Sequence, residues 1–455
     1  MARRPCRSAG WLIGARTQLV PYDTYVCYGD ATLGEEMGME LGRPASVADR
    51  TVAVGTSFML EVNASAILTN LRSVGRASVS SLAKQTGLSR QAVSRSLAVL
   101  TSMGLVEISA PDRAASPAGR PPQMVRFRSE AGHVLGVDVK ARRVRVAVAD
   151  LAAEIVAEST VPLDGSVAFA EWLRTVVLDV LDQAGIGPDD VWHVSVAAPG
   201  IIDPATGHVA LSPGMPEIVG DGILLGIRSA VDAPVYLDNA IKLATIGERW
   251  RGAPHAEQSL VFVHWGERIG AGILIHGELY RGASNDAGDL GYLEIGLPDT
   301  PDGTDADLGP FERSVGTREL LRIAGSSAER PSSETLTLTE LAAAVCSRQP
   351  WALSAVRTIS SRFARGIAVL RSLLDPEVIV IGGDITELGQ ALLDSLDDAL
   401  RFETLEQPQL EFSTLGADAI VQGGIHQSLR WVEQERFGVT AVREGSSAAG
   451  WPRTP

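Results

Sequence analysis

The stretch VYLDNAIKLATIGERW, residues 235–250, reads as a buried strand turning straight into a helix, with Asp238 and Asn239 at the joint. Such joints are where α/β proteins present ligands to helix N-termini. The joint therefore predicts an α/β fold with a ligand site at this point. It also poses a question: whether Asp238 is a catalytic carboxylate or stands beside a position where one is missing.

Working outward, the chain has 455 residues, 45% hydrophobic, 5% aromatic and 21% charged, which suits globular material and suggests about three domains. No run of about 18 apolar residues occurs, and MARRPCRSAGWLIGARTQLV at residues 1–20 lacks the apolar core of a secretion signal. The expectation is a cytoplasmic protein with no membrane partner. Cys6, Cys27 and Cys346 are isolated, without CxxC spacing, which argues against a disulfide framework and a cysteine zinc site. The seven histidines show no paired metal spacing, so no metal and no cofactor is expected.

The net charge of -15 is unevenly distributed. Residues 56–130 hold nine basic side chains against four acidic ones, a local +5, whereas residues 131–455 hold -20. This asymmetry predicts a small nucleic-acid module joined to a large acidic domain with another task.

Within the basic segment, SVSSLAKQ (78–85) reads as a helix capped by Ser78, TGLS (86–89) as a turn, and RQAVSRSLAVLTSMG (90–104) as a second helix capped by Ser89. Ala83, Gly87 and Val93 have helix-turn-helix spacing: a small residue lets the helices approach, a glycine takes the turn, and a β-branched residue fills the crevice. Val93, Leu97 and Leu100 face inward, leaving Arg90, Gln91, Ser94 and Arg95 outward near the helix N-terminus, within reach of base edges and phosphates. Two β-rich pieces around a loop with Arg113 and Arg120 follow at 105–128 and read as a wing. With a preceding helix at about 58–72, the segment is an α+β winged helix-turn-helix.

From residue 133 three strand-like runs, a helix at about 167–184, the strand VWHVSVAAPG and the opening joint follow one another, with Trp172 and Trp192 expected in the core. A second hairpin series at 259–283 repeats the opening pattern. Two lobes that each begin with a β-meander indicate a two-lobed α/β actin-like fold of the ribonuclease H-like, sugar-kinase type. VSVAAPGIIDPATGHV (194–209), IGAGILIHGELYRGASNDAGDLGYLEI (269–295), DPEVIVIGGDI (375–385) and the joint resemble the corresponding blocks of the ROK family (repressors, open reading frames, kinases) over about residues 56–430. GRPP at 119–122 resembles an arginine-bearing loop of the family's repressor branch.

The resemblance implies an answer to the opening question. Kinases of this family place their general base, an Asp following Asn, in the pattern E-N-D-A-N. This chain reads Asp238-Asn239-Ala240-Ile241-Lys242, so the base position is Ala240, an alkyl group. General-base catalysis contributes about 10²-fold to 10⁴-fold, so its loss alone implies no kinase turnover. The family's D-x-G-G-T phosphate turn is here Asp138-Val139-Lys140-Ala141-Arg142, with side chains in the approach path; Lys140 and Arg142 read as a solvated turn. Where the family has G-E-x-G-H and a cysteine-rich zinc loop, this chain has Gly288-Asp289-Leu290-Gly291-Tyr292 and then no cysteine, which excludes zinc there. Gly214 stands where relatives often present Asn to the sugar.

The expected organisation is a disordered extension at 1–55, the winged helix at 56–130, a two-lobed ROK domain at 131–436 and a flexible tail at 437–455. The expected function is a DNA-binding transcriptional regulator, a repressor controlled by a sugar or related metabolite bound in a catalytically inactive domain, acting as a homodimer or homotetramer. DNA contacts fall to Ser78, Ser89, Arg90, Gln91, Ser94, Arg95 and Arg120, and effector contacts to Asn239, Asp289, Tyr292 and Glu312. The alternatives are an ATP-dependent sugar kinase with an unusual base and a constitutive DNA-binding protein without effector.

Overall fold

Helix α1 (Thr56–Val74) opens the part of the chain that the computed structural model describes, namely residues 56–109, 123–165, 167–252, 258–296, 308–330 and 335–436. The expected extensions at 1–55 and 437–455 and the loop with Arg113, Arg120 and GRPP lie outside these residues. After α1 come β1 (Arg76–Ser78), α2 (Val79–Thr86), α3 (Arg90–Ser102), β2 (Val106–Ser109) and β3 (Met124–Phe127). The strands form an antiparallel sheet in the order β1-β3-β2. The Ser78 hydroxyl accepts from the Ser81 N–H and that of Ser89 from the Ala92 N–H, so each helix starts where its cap predicts. Gly87 ends α2 at φ 71°, a left-handed conformation that a side chain would strain. Val93, Leu97 and Leu100 of α3 pack with Ile67, Leu68 and Leu71 of α1 and Leu82 of α2.

The first lobe comprises β4 (His133–Lys140), β5 (Arg143–Asp150), β6 (Ile155–Pro162), α4 (Phe169–Ala184), β7 (Val191–Ala198), β8 (Ile201–Asp203), β9 (His208–Leu211), α5 (Gly222–Ala230) and β10 (Val235–Asn239). Its five-stranded sheet runs β10-β7-β4-β5-β6; the β4–β5–β6 meander is antiparallel, and β7 and β10 add in parallel. Trp172 is buried in this lobe's core, as expected, whereas Trp192 is half-buried under the Arg436 guanidinium.

Helix α6 (Ala240–Gly247) continues into a five-residue π-helix, Glu248–Gly252. The second lobe then follows: β11 (Ser259–Trp265), β12 (Ile269–Ile275), β13 (Glu278–Tyr280), α7 (Pro310–Val315), α8 (Thr317–Gly325), α9 (Leu338–Cys346), α10 (Pro350–Leu374), β14 (Val378–Gly382), α11 (Gln390–Leu400) and β15 (Leu410–Phe412). Its sheet has the order β13-β12-β11-β14-β15. The core gathers Trp265, Phe311 and Phe363, with Trp265 and Phe363 stacked at 3.5 Å between centroids.

The last helix, α12 (Ala419–Arg436), returns to the first lobe and packs on β4, β7 and α6. Gly423 lies against the Leu243 carbonyl and Gly247 against the Ala419 carbonyl, so a Cβ on either glycine would collide with backbone. Val421, Ile425, Leu429 and Val432 of α12 share one apolar cluster with the winged helix and with Val134, Ala149 and Leu151. Where sequence pattern suggests separate modules, burial therefore joins the winged helix to the first lobe through α12.

Candidate DNA-reading face and effector cleft

On the winged helix, Arg90, Gln91, Ser94 and Arg95 are all exposed on one side of α3, opposite the buried Val93 and Leu97. Arg90 and Arg95 make no ion pair with described residues. Such unneutralised guanidinium groups at the start of an exposed second helix have the chemistry of base and phosphate contact. Other arginines of the segment are committed elsewhere. Arg126 bridges Glu107 at 3.1 Å and Glu130 at 2.8 Å, Arg128 reaches Glu130 and the Gly104 carbonyl, and Arg72 pairs with Glu433 of α12. Among the described residues the unpaired positive charge of the segment thus centres on α3, with Arg76 and Lys84 exposed beside it.

Between the lobes lies a cleft of about 1530 Å³, above the ~300–1,000 Å³ of ordinary ligand pockets. One wall carries Lys140 and Arg143 from the β4–β5 turn and Asn239, Ala240 and Lys242 from the joint; the other carries Arg268, Asp289, Tyr292 and Glu312. All four effector candidates line this cleft, but they differ in what they have free.

Asn239 is committed on both sides of its amide. Its oxygen caps α6 by accepting from the Ile241 N–H at 2.8 Å, and its NH₂ donates to the Gly200 carbonyl at 2.9 Å. Glu312 is buried, its oxygens accepting from the Ile269 and Gly309 N–H groups, both at 2.9 Å, with the Arg268 guanidinium 3.5 Å away. These bonds tie both side chains into the cleft walls, and both still line the cleft. Tyr292, by contrast, is 57% exposed. Asp289 is also exposed, and its carboxyl is raised to about 6, first by partial burial in the wall and then by the Asp286 and Glu312 carboxylates.

Asp238 is wholly buried and fully paired. Its Oδ2 accepts from the Tyr236 hydroxyl and from the Arg281 guanidinium, both at 2.6 Å, and its Oδ1 from the Asn239 N–H at 2.8 Å. Arg281 also donates to the Asn285 side chain at 3.0 Å, and Asn285 in turn donates to the Ile202 carbonyl at 2.7 Å. Lys242, itself buried, donates to the backbone and side-chain oxygens of Asn285, and burial pulls its ammonium pKa down. Tyr236, Arg281, Asn285 and Lys242 were not singled out from sequence. No spacing rule links Arg281 to Asp238, forty-three positions away, and the pairing exists only because two sheet edges meet.

Elsewhere on the same wall, Lys140 pairs with the buried Asp138 at 3.2 Å, so it is a partner of the strand rather than a freely solvated turn residue. Burial raises the Asp138 carboxyl, and Lys140 opposes that shift. Gly383, at φ 92°, turns so closely over the Trp265 backbone that only glycine fits. Among the described residues no group of His, Cys, Asp and Glu is arranged to hold a metal, and no helix is long and apolar enough to cross a membrane.

A winged helix-turn-helix joined to a two-lobed sugar-kinase-like domain defines the class: a DNA-binding transcriptional regulator. More particularly, residues 134–425 match the model of the ROK family, and the chain belongs to that family. Residues 60–115 match the MarR family model, which agrees with the winged helix. The chain is 25% identical over 293 residues to a putative xylose repressor of Caldicellulosiruptor sp. (strain Rt8B.4), covering 62% of this chain and 73% of that one. It is 20% identical over 356 residues to the DNA-binding transcriptional dual regulator NagC of Escherichia coli (strain K12), covering 76% and 86%. A glucokinase of Halalkalibacterium halodurans is 28% identical over 316 residues, covering 64% of this chain and 93% of the enzyme. Among solved structures, a ROK family transcriptional regulator described as a homolog of the E. coli MLC protein superposes with a TM-score of 0.67 at 20% identity, covering 82% of this chain and 97% of that one. A ROK family glucokinase from Streptomyces griseus gives 0.56 at 22% identity, over 66% of this chain and all of that one.

Proposed function

We propose that this chain is a cytoplasmic, sugar-controlled repressor whose ROK domain senses ligand without catalysing phosphoryl transfer. The observation that carries this reading is the joint itself. Ala240 faces the cleft where a base would stand, and the neighbouring carboxylate, Asp238, is held by Tyr236 and Arg281 with no access to a substrate hydroxyl. A base must reach the proton it abstracts, and a buried ion-paired carboxylate does not. The names of the relatives, xylose repressor and N-acetylglucosamine repressor, support a pentose or amino sugar as effector class. Asn239, Asp289, Tyr292 and Glu312 line the cleft and would contact it, Asp289 and Tyr292 being the more exposed of the four. Arg90, Gln91, Ser94 and Arg95 contact DNA, with Ser78 and Ser89 at the helix N-termini and Arg120 in the wing. One helix-turn-helix reads few base pairs, so the active form is a homodimer or homotetramer on two half-sites about one helical turn apart.

The test is selection of sheared genomic DNA by the purified protein at about 0.15 M salt, a fixed value because phosphate contacts alone retain DNA at low ionic strength. Enrichment of one palindromic element, released by xylose or N-acetylglucosamine, is the expected result. A coupled assay with ATP and the same sugars should give no ADP. Sugar-dependent ADP formation would establish the kinase alternative, and an element unaffected by any sugar would favour the constitutive one.

A further inference from the structure

One route joins the cleft to the DNA-reading domain without a break. The N-terminal turn of α6, from Ala240 to Lys242, forms part of the cleft wall. Its C-terminal end widens into the π-helix Glu248–Gly252, a form that is rare and concentrated at functional sites. In that turn the Arg251 guanidinium donates to the Gln422 side-chain oxygen of α12 at 2.9 Å and to the Ala153 carbonyl in the β5–β6 turn at 3.2 Å. It also lies over the Trp250 ring at 4.2 Å, and Trp250 packs on His426 of α12 at 4.8 Å. Trp250 and Ala153 belong to the same apolar cluster as Leu71, Val93 and Leu97 of the winged helix. Two turns beyond His426 along α12, Glu433 pairs with Arg72 of α1.

Two features suit this route to carry a conformational change. First, α6 and α12 touch backbone to backbone at Gly247 and Gly423, so at these points no side chain stands between them to absorb a shift of either helix. Second, the chain leaves regular α-helical geometry at Glu248–Gly252, where the wholly buried Glu248 carboxyl accepts from the Ser413 hydroxyl, and such irregular turns are concentrated at functional sites.

We propose that α6 and its π-helical end are the transmitting element between cleft and winged helix, with Arg251 as the positioning residue that ties this end to α12 and the β5–β6 turn. This rests on the regulator reading above, since it assigns how that cleft acts on DNA binding. Arg251 touches neither the cleft nor the DNA-reading face. Its role is to make a displacement at Lys242 felt at α1 and α3.

The test needs no effector. Lys242→Met frees the cleft end of α6 from Asn285, and Arg251→Ala cuts the far end; wild type, both single variants and the double variant are compared by amide hydrogen exchange. Lys242→Met should change exchange in Thr56–Val74 and Arg90–Ser102 by about tenfold, within the usual range of coupling between sites, and Arg251→Ala should abolish that change. Arg251→Lys keeps charge and stem but not the two divergent hydrogen bonds, and should behave like Arg251→Ala if the latter is poorly folded. An equal response with and without Arg251, or no response of the winged helix to Lys242→Met, overturns the proposal. Operator affinity is measured in parallel on the same four proteins. Absence of any specific DNA binding would refute the regulator reading while leaving the exchange result to decide the coupling.

Discussion

Asp238, on the edge strand of one lobe, and Arg281, just beyond the edge strand of the other, meet at 2.6 Å and so join two separate sheets through one buried ion pair. Breaking a buried pair from one side leaves an uncompensated charge and costs about 3–5 kcal/mol. Arg281 is about a quarter exposed, which places the expected loss for Arg281→Ala near the lower end, about 3 kcal/mol in urea unfolding. Adding Asp238→Asn should restore part of it by removing the stranded charge. A loss below about 1 kcal/mol for Arg281→Ala would mean that solvent replaces the guanidinium and the pair does not hold the lobes.

Arg90→Ala and Arg95→Ala should each weaken operator binding by about 1–3 kcal/mol if the lost contact reads a base, or lower the salt slope by about one if it holds a phosphate. Both side chains are exposed, so the thermal midpoint should stay unchanged. Titrations against the selected DNA element at several salt concentrations distinguish the two roles. Unchanged binding in both variants would place the reading surface elsewhere.

Ser89→Ala should destabilise the winged helix by about 1 kcal/mol, whereas Ser89→Gly should cost only a few tenths, because the hydroxyl satisfies the Ala92 N–H that otherwise has no helical partner. Chemical denaturation of the two variants checks the order; equal losses would argue against capping.

The raised carboxyl of Asp289, at about 6, gives sugar binding a pH dependence. Above that value the group is an ionised acceptor for sugar hydroxyls; below it the stronger charge-assisted bond is lost. Affinity for the effector should therefore fall as pH drops from 7.5 toward 5 with a midpoint around 6, and Asp289→Asn should flatten the profile. Calorimetric titration across that range reads it directly, and a profile that persists in the variant would assign the effect to another group.

His426, between α12 and Trp250, is held down to about 4 by burial and then by Arg430, Arg249, Arg72 and Arg251 around it. Its folded pKa lies below the unfolded value of 6.5, so the neutral ring contributes stability that is whole above 6.5 and is lost as pH falls toward 4. Buried His193, held to about 3 by burial, acts in the same direction. Thermal scans should show the midpoint falling across this window and falling less in His426→Gln; an identical slope would remove His426 from the cause.

Much of this molecule was legible before any coordinates. The caps Ser78 and Ser89, the Gly87 turn and the inward Val93, Leu97 and Leu100 stand where local rules put them, because helix capping and amphipathic periodicity act over a few neighbouring residues. The meanders and the β10–α6 joint were equally readable. Asn239 and Glu312 are candidate ligand contacts because their residue types suit sugars; that their oxygens also accept from backbone N–H groups follows only from three-dimensional proximity.

The sequence by itself determined the winged helix and the ROK domain, their order, and the caps and inward faces of α2 and α3, all properties of residue type and short-range spacing. Tertiary structure alone decided the Asp238–Arg281 pair, the glycine contact of α6 with α12, and the shared core through which α12 joins the winged helix to the first lobe. Each of these brings together residues distant along the chain. Their proximity follows from how sheets and helices close-pack, and no local periodicity encodes which distant neighbour a buried charge or a bare glycine will meet.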